Sequence, residues 1–153
     1  MRVRETLFIL ALASAAGLQA QQQPEKGTWR AASNTAASIT GDIAISGSKI
    51  SINMTSFLLS PARLIKPSEV AAIFDEAIDT AGNGQLYRLN IPAARRFVGH
   101  NTLCGTQDTS WMAVYAIHGE LKVAFFSGDD APLLTFDALQ NSTSLCGTFT
   151  YVR

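Results

Sequence analysis

The chain has 153 residues, 47% of them hydrophobic, with 12 basic and 12 acidic side chains. That apolar share excludes a disordered chain, and the balanced charge excludes a nucleic-acid binder working through clustered positive charge. With only two cysteines and two histidines, the inventory for catalysis or metal binding is thin.

Met1-Arg2-Val3-Arg4 is a short basic start, and Leu7 to Ala16 is an uncharged apolar run of secretory length. It is about half the length that a membrane span needs. Leu7 to Leu12 is apolar on every face, which separates it from an amphipathic helix. Two processing sites fit, Ala13-Ser14-Ala15 and Leu18-Gln19-Ala20, and the second is favoured because the polar Gln21-Gln22-Gln23-Pro24 follows it. The expected organisation is a signal peptide over 1–20, a disordered lead-in over 21–26 and one β-rich domain over 27–153. Cleavage after Ala20 removes Arg2, Arg4 and Glu5 and leaves 10 basic against 11 acidic residues. An exported protein, periplasmic or secreted, with no transmembrane segment after processing is the expectation.

Gly27-Thr28-Trp29-Arg30-Ala31 reads as a first strand, followed by the small polar stretch Ala32 to Ser38. Ile43 and Ile45, then Ile50, Ile52 and Met54, alternate with small polar residues around Ser46-Gly47-Ser48-Lys49, a hairpin pattern. Phe57-Leu58-Leu59 continues the sheet until Ser60-Pro61 is expected to stop it. The period then changes. Val70, Ile73, Phe74, Ala77 and Ile78 fall on one helical face behind Pro67, which predicts a helix from Pro67 to Thr80. Asn83-Gly84 reads as a turn, and Leu86 to Ile91 as a strand closed by Pro92. Trp111 to Ile117 and Leu121 to Phe126 are apolar on both faces, as central strands are, with His118-Gly119 in the hairpin turn between them. Gly128 to Pro132 is rich in breakers, and Leu133 to Phe136 and Thr148 to Val152 read as short strands. The predicted fold is mainly β, a small antiparallel barrel or sandwich with one inserted α-helix and one disulfide.

In an exported chain, Cys104 and Cys146 read as that disulfide. They lie in the repeated element Leu-Cys-Gly-Thr, 42 positions apart, and are expected at two strand ends, each with a glycine that lets the backbone pass close to the bridge. A redox or metal-binding pair is the rival, but the spacing is not C-x-x-C.

Gly27-Thr28-Trp29 near the expected mature start, many short strands, and Arg153 at the end of the last strand resemble the calycin pattern of lipocalins and avidins. The resemblance implies that the Trp29 indole packs against the basic side chain at the end of the chain. The chain departs from lipocalins in its central helix. Asn101-Thr102-Leu103-Cys104-Gly105 and Leu145 to Tyr151 are also similar to small exported bacterial proteins of unknown function with paired Leu-Cys-Gly elements.

Chemistry-bearing residues are few. His118 reads as a solvated turn residue, and His100 and Cys104 would form a metal pair only with a free thiol. Asp79 to Gly84 follows an EF-hand loop at three positions but fails at Ala81 and Asn90, where a helix end running into a turn explains the same residues. No cofactor or metal is expected. Asn53-Met54-Thr55 and Asn141-Ser142-Thr143 are glycosylation sequons, meaningful only in a eukaryotic secretory pathway. Arg95-Arg96, with Arg88 and Arg63 as further basic residues, is the one basic concentration, able to meet an anionic ligand or acidic surface or to be a solvated loop. Asp129 and Asp130 offer a basic partner two carboxylates or form an acidic surface turn.

Two functions follow as expectations. One is a non-enzymatic exported binding module, inhibitor-like or envelope-associated, that meets a protein partner in the envelope or medium through the Arg95-Arg96 loop and the Gly128 to Pro132 turn. The other is a calycin-like carrier of a small apolar ligand, in which Trp111, Tyr115, Phe125 and Phe149 either line a cavity or fill the core.

Overall fold

A computed structural model describes residues 23–153; the signal-peptide reading over 1–20 and residues 21–22 of the lead-in lie outside the described residues. Nine strands form one antiparallel sheet: β1 Gly27–Ala31, β2 Ile43–Ser46, β3 Lys49–Ile52, β4 Thr55–Leu58, β5 Ser60–Ile65, β6 Gly84–Ile91, β7 Thr109–Ile117, β8 Glu120–Ser127 and β9 Leu145–Val152. Two α-helices are added, α1 Pro67–Phe74 and α2 Phe136–Gln140. The hydrogen-bonded order is β4-β3-β2-β1-β9-β8-β7-β6-β5.

That order does not close by a ladder, yet its two edges are consecutive in the chain. β4 and β5 are separated by Leu59 alone, so residues 55–65 act as one long strand whose first half pairs with β3 and whose second half pairs with β6. Counted this way, the sheet is an up-and-down meander that curls until β1 meets β9, with Arg30 opposite Val152 and Ala31 opposite Tyr151. Ser60-Pro61 therefore does not stop the sheet. Pro61 stands opposite Tyr87, next to an irregularity between Pro61 and Arg63. Proline is tolerated there because β5 is an edge, where a missing N–H removes no second ladder bond.

The curled sheet buries two apolar layers. Inside lie Trp29, Ile43, Ile45, Ile50, Ile52, Tyr87, Leu89, Met112, Val114, Leu121, Val123, Phe125, Phe149 and Tyr151. Outside, Ala113, Tyr115, Ala124 and Phe126 alternate with those inward residues and are covered by Val70, Ile73 and Phe74 of α1 and by Leu134 ahead of α2. This second layer is why β7 and β8 are apolar on both faces. Phe97 and Leu103, from the long connection between β6 and β7, join the inner layer at one end of the barrel. A π-helical turn, Ala36–Thr40, lies beside that connection, and the Asn101 side-chain amide donates to the Ser38 carbonyl at 2.9 Å.

Several local expectations are corrected. Asn53 and Met54, with φ of 47° and 64°, form the two-residue turn between β3 and β4, so Met54 does not extend the strand. Helix α1 ends at Phe74 because Asp75 adopts the left-handed conformation (φ 54°, ψ 41°), and Ile78 beyond it is 59% exposed. Gly84 is the first residue of β6 and not part of a turn: a Cβ there would stand 2.6 Å from the Val114 carbonyl oxygen. Leu133 to Phe136 is not a strand. Thr135 caps α2, its hydroxyl accepting from the Ala138 N–H, and only Leu134 turns inward.

Candidate functional site

The barrel has two unlike ends. At the upper end the strands β6 and β8 finish and β7 and β9 begin, so the connections 92–108 and 128–144 emerge side by side. Cys104 and Cys146 are bonded to each other with Cα atoms 5.0 Å apart. Of the two strand ends expected, Cys146 lies at one, as the second residue of β9, whereas Cys104 sits in the loop ahead of β7. Nor do the neighbouring glycines ease the passage of the bridge. Gly105 has φ of 64° and open space around it, and Gly147 faces the Phe149 ring. The bridge ties the 92–108 connection to β9, and the Thr109 hydroxyl donates to the Cys104 sulfur at 3.2 Å. A second tether is the Ala93 N–H, which donates to Asp108 Oδ1 at 2.7 Å.

The candidate side chains divide between the two layers and the loops. Arg95 and Arg96 are exposed on the 92–108 connection; the Arg95 guanidinium lies 6.0 Å from the Phe57 ring, and Arg96 donates to the Ala93 carbonyl at 3.0 Å. Asp129 and Asp130 are exposed on the neighbouring loop. Trp111 is half-buried on the outer face, and its indole N–H donates to the Gly128 carbonyl at 3.1 Å. Arg88, directly opposite Trp111 in register, lies 4.8 Å over its ring and donates to the Asp129 carbonyl at 3.0 Å. The structure thus joins Trp111 and Asp129 through Arg88. It does not bring Tyr115 to that group: Tyr115 is buried in the outer layer, stacked on Phe74 with 6.5 Å between ring centres, its hydroxyl accepting from the Gly82 N–H at 3.1 Å.

Phe125 and Phe149 meet edge to face at 5.3 Å inside the barrel. None of Trp111, Tyr115, Phe125 and Phe149 lines an open cleft; all four pack into one of the two layers or against the Gly128 loop. His100 and His118 are exposed with positive φ, and Cys104 has no thiolate to share with His100. Among the described residues, no group of three His, Cys, Asp or Glu side chains is placed to hold a metal ion.

The lower end joins Glu25 and Tyr87 to Trp29 and Arg153. Gln23–Lys26 is a turn held against the barrel, where a disordered lead-in was expected. The Trp29 indole N–H donates to the Glu25 carbonyl at 2.8 Å, and the Tyr87 hydroxyl donates to Glu25 Oε1 at 2.6 Å. The Arg153 guanidinium lies 4.2 Å over the Trp29 ring. It also donates to the carbonyls of Pro24, at 2.9 Å, and Lys26. Burial and the hydrogen bond to Glu25 push the Tyr87 phenol well above its ordinary pKa. Burial pushes Tyr151 up as well, opposed by its bond to Thr40. The signal for this clasp was the terminal arginine together with Trp29; nothing in the polar run 21–26 marks Glu25 as buried.

Fold and site together define a disulfide-bridged, mainly β protein: an up-and-down sheet with a packed interior, pinned loops at one end and a clasped N-terminal segment at the other. Comparison with protein-family models, curated proteins and solved structures gives no match to this chain.

Proposed function

We propose that this chain is an exported, non-enzymatic binding module that recognises a protein partner through the upper loops of its barrel. The observation that carries this reading is that the two candidate loops emerge together and are fixed to the sheet. The disulfide and the Asp108 bond hold one; Trp111 and Arg88 hold the other. Loops fixed in this way lose little conformational freedom on binding, which favours affinity. One loop presents Arg95 and Arg96, and the other presents Asp129 and Asp130 together with Leu133 and Phe136, which are 75% and 61% exposed, a mixture of charge and exposed apolar surface suited to a protein partner. Export is supported by the basic and apolar start of the sequence and by a disulfide that persists in oxidising compartments. The test is parallel capture from envelope and medium by the mature protein and by Arg95→Ala/Arg96→Ala. A partner retained by the first and lost by the second supports the reading, and equal recovery removes these arginines from it.

A second reading, the calycin-like carrier, draws support from the up-and-down strand order and the Trp29–Arg153 stacking. The filled interior weighs against it, since an apolar ligand would have to displace packed side chains. Native mass spectrometry of protein purified without added ligand, together with an apolar-dye titration, tests it; bare protein that takes up no dye removes the carrier.

A further inference from the structure

We propose that the lower mouth of the barrel is a binding site for a small organic ammonium ion with a short apolar body. This goes beyond the loop-end reading and is independent of it. A cleft of about 580 Å³ opens there between the Gln23–Glu25 segment and the ends of β5, β6 and β7, within the size range of small-molecule sites. Leu64, Val114 and Ala116 give it an apolar wall, and Asn83, Gln85 and Glu25 give it polar groups.

Glu25 decides the charge of the ligand. The residue is 5% exposed, and its carboxylate takes one hydrogen bond, from the Tyr87 hydroxyl to Oε1. A carboxylate accepts about four. Among the described residues no donor reaches Oε2, and no Lys, Arg or His lies within ion-pair distance of Glu25. Arg153, which holds this segment, turns its Nη2 to the carbonyls of Pro24 and Lys26 and its face to Trp29, and its guanidinium makes no ion pair with Glu25. Gln85 spends its amide donors on the carbonyls of Arg63 and Leu86, so it too offers the cleft an acceptor. Glu25 lines the cleft with one oxygen held by a single neutral donor and the other open to it, and a ligand ammonium supplies the opposite charge and the further donors. The same arrangement repels a carboxylate ligand.

The test is calorimetric and NMR titration of the mature protein with n-hexylammonium, n-hexanoate and n-hexanol at equal concentration. The expected result is binding of n-hexylammonium alone, with shifted amide signals at Glu25, Gln85 and Val114. Glu25→Gln should weaken it by about tenfold or more, the loss of one charge-assisted contact. Should Glu25→Gln fold poorly, Leu64→Trp narrows the cleft from an exposed position and should abolish binding with the fold intact. Arg95→Ala/Arg96→Ala at the far end should bind n-hexylammonium as the parent does. No n-hexylammonium binding, equal binding by Glu25→Gln or by Leu64→Trp, or equal binding of n-hexanoate would each overturn the proposal.

Discussion

Replacing both cysteines with serine should destabilise the domain by about 4 kcal/mol, from the loop-closure entropy of a bridge spanning 42 residues. The enclosed segment contains β7, β8 and α2, and those two strands contribute Met112, Val114, Leu121, Val123 and Phe125 to the inner layer. In the reduced unfolded chain that segment is free, so the entropy regained falls on the strands that organise the barrel. Against a total of about 5–15 kcal/mol for a domain, such a loss is large, and it should lower the melting temperature by roughly 10–20 °C. The assay is denaturant unfolding and calorimetry of the protein with and without Cys104→Ser/Cys146→Ser, together with amide exchange. Exchange should rise first in residues 98–108, which the bridge ties to β9. A double variant melting within about 3 °C of the parent would refute the chain-entropy reasoning. Unchanged exchange in 98–108 would refute the idea that the bridge pins this loop.

Three further outcomes follow from the lower end and the sheet. Arg153→Ala should cost about 1–2 kcal/mol in denaturant unfolding, through the lost stacking on Trp29 and two lost carbonyl contacts; Arg153→Lys should recover only part, because an ammonium cannot reproduce the planar stack. Gly84→Ala should cost about 1–3 kcal/mol by the same measurement, since the new methyl would meet the Val114 carbonyl of the neighbouring strand. Stability should fall as pH rises above about 10, where the unfolded chain releases phenol protons that folded Tyr87 and Tyr151 retain. Ultraviolet titration of phenolate against pH, compared with Tyr87→Phe and Tyr151→Phe, checks this, and each replacement should flatten the alkaline decline.

The parts of the fold legible in the sequence were those written in side-chain alternation. Ile43, Ile45, Ile50 and Ile52 announced the β2–β3 hairpin, and the two-faced apolar runs announced β7 and β8, because a curled sheet with helices outside needs both faces. Backbone events were harder to see. Pro61 looked like a stop, since its tolerance depends on β5 being an edge, a property of topology. The spacing that carried the helix on to Ile78 was a coincidence of composition, overruled by the left-handed Asp75. Helix α2 did carry a signal, Thr135 ahead of Asp137 in the first turn, hidden by the apolar pair Leu133-Leu134. At the site, Arg95, Arg96, Asp129 and Asp130 could be placed on exposed loops from breakers alone, but the joining of Trp111 to Asp129 by Arg88 depends on strand register. The burial of Glu25 depends on Tyr87, which is 62 residues away in sequence.

Recognition through the upper loops, as proposed, is tested most directly by placing a photo-crosslinking side chain at Arg95 in one form of the protein and at Ser48, in the turn between β2 and β3 at the lower end, in another. Both forms are irradiated in the native envelope and medium. The account predicts a discrete covalent adduct from the Arg95 form, lost when Asp129 and Asp130 are also changed to Ala, and none from the Ser48 form. Adducts from Ser48 alone, or equal adducts from both positions, would contradict recognition by the upper loops.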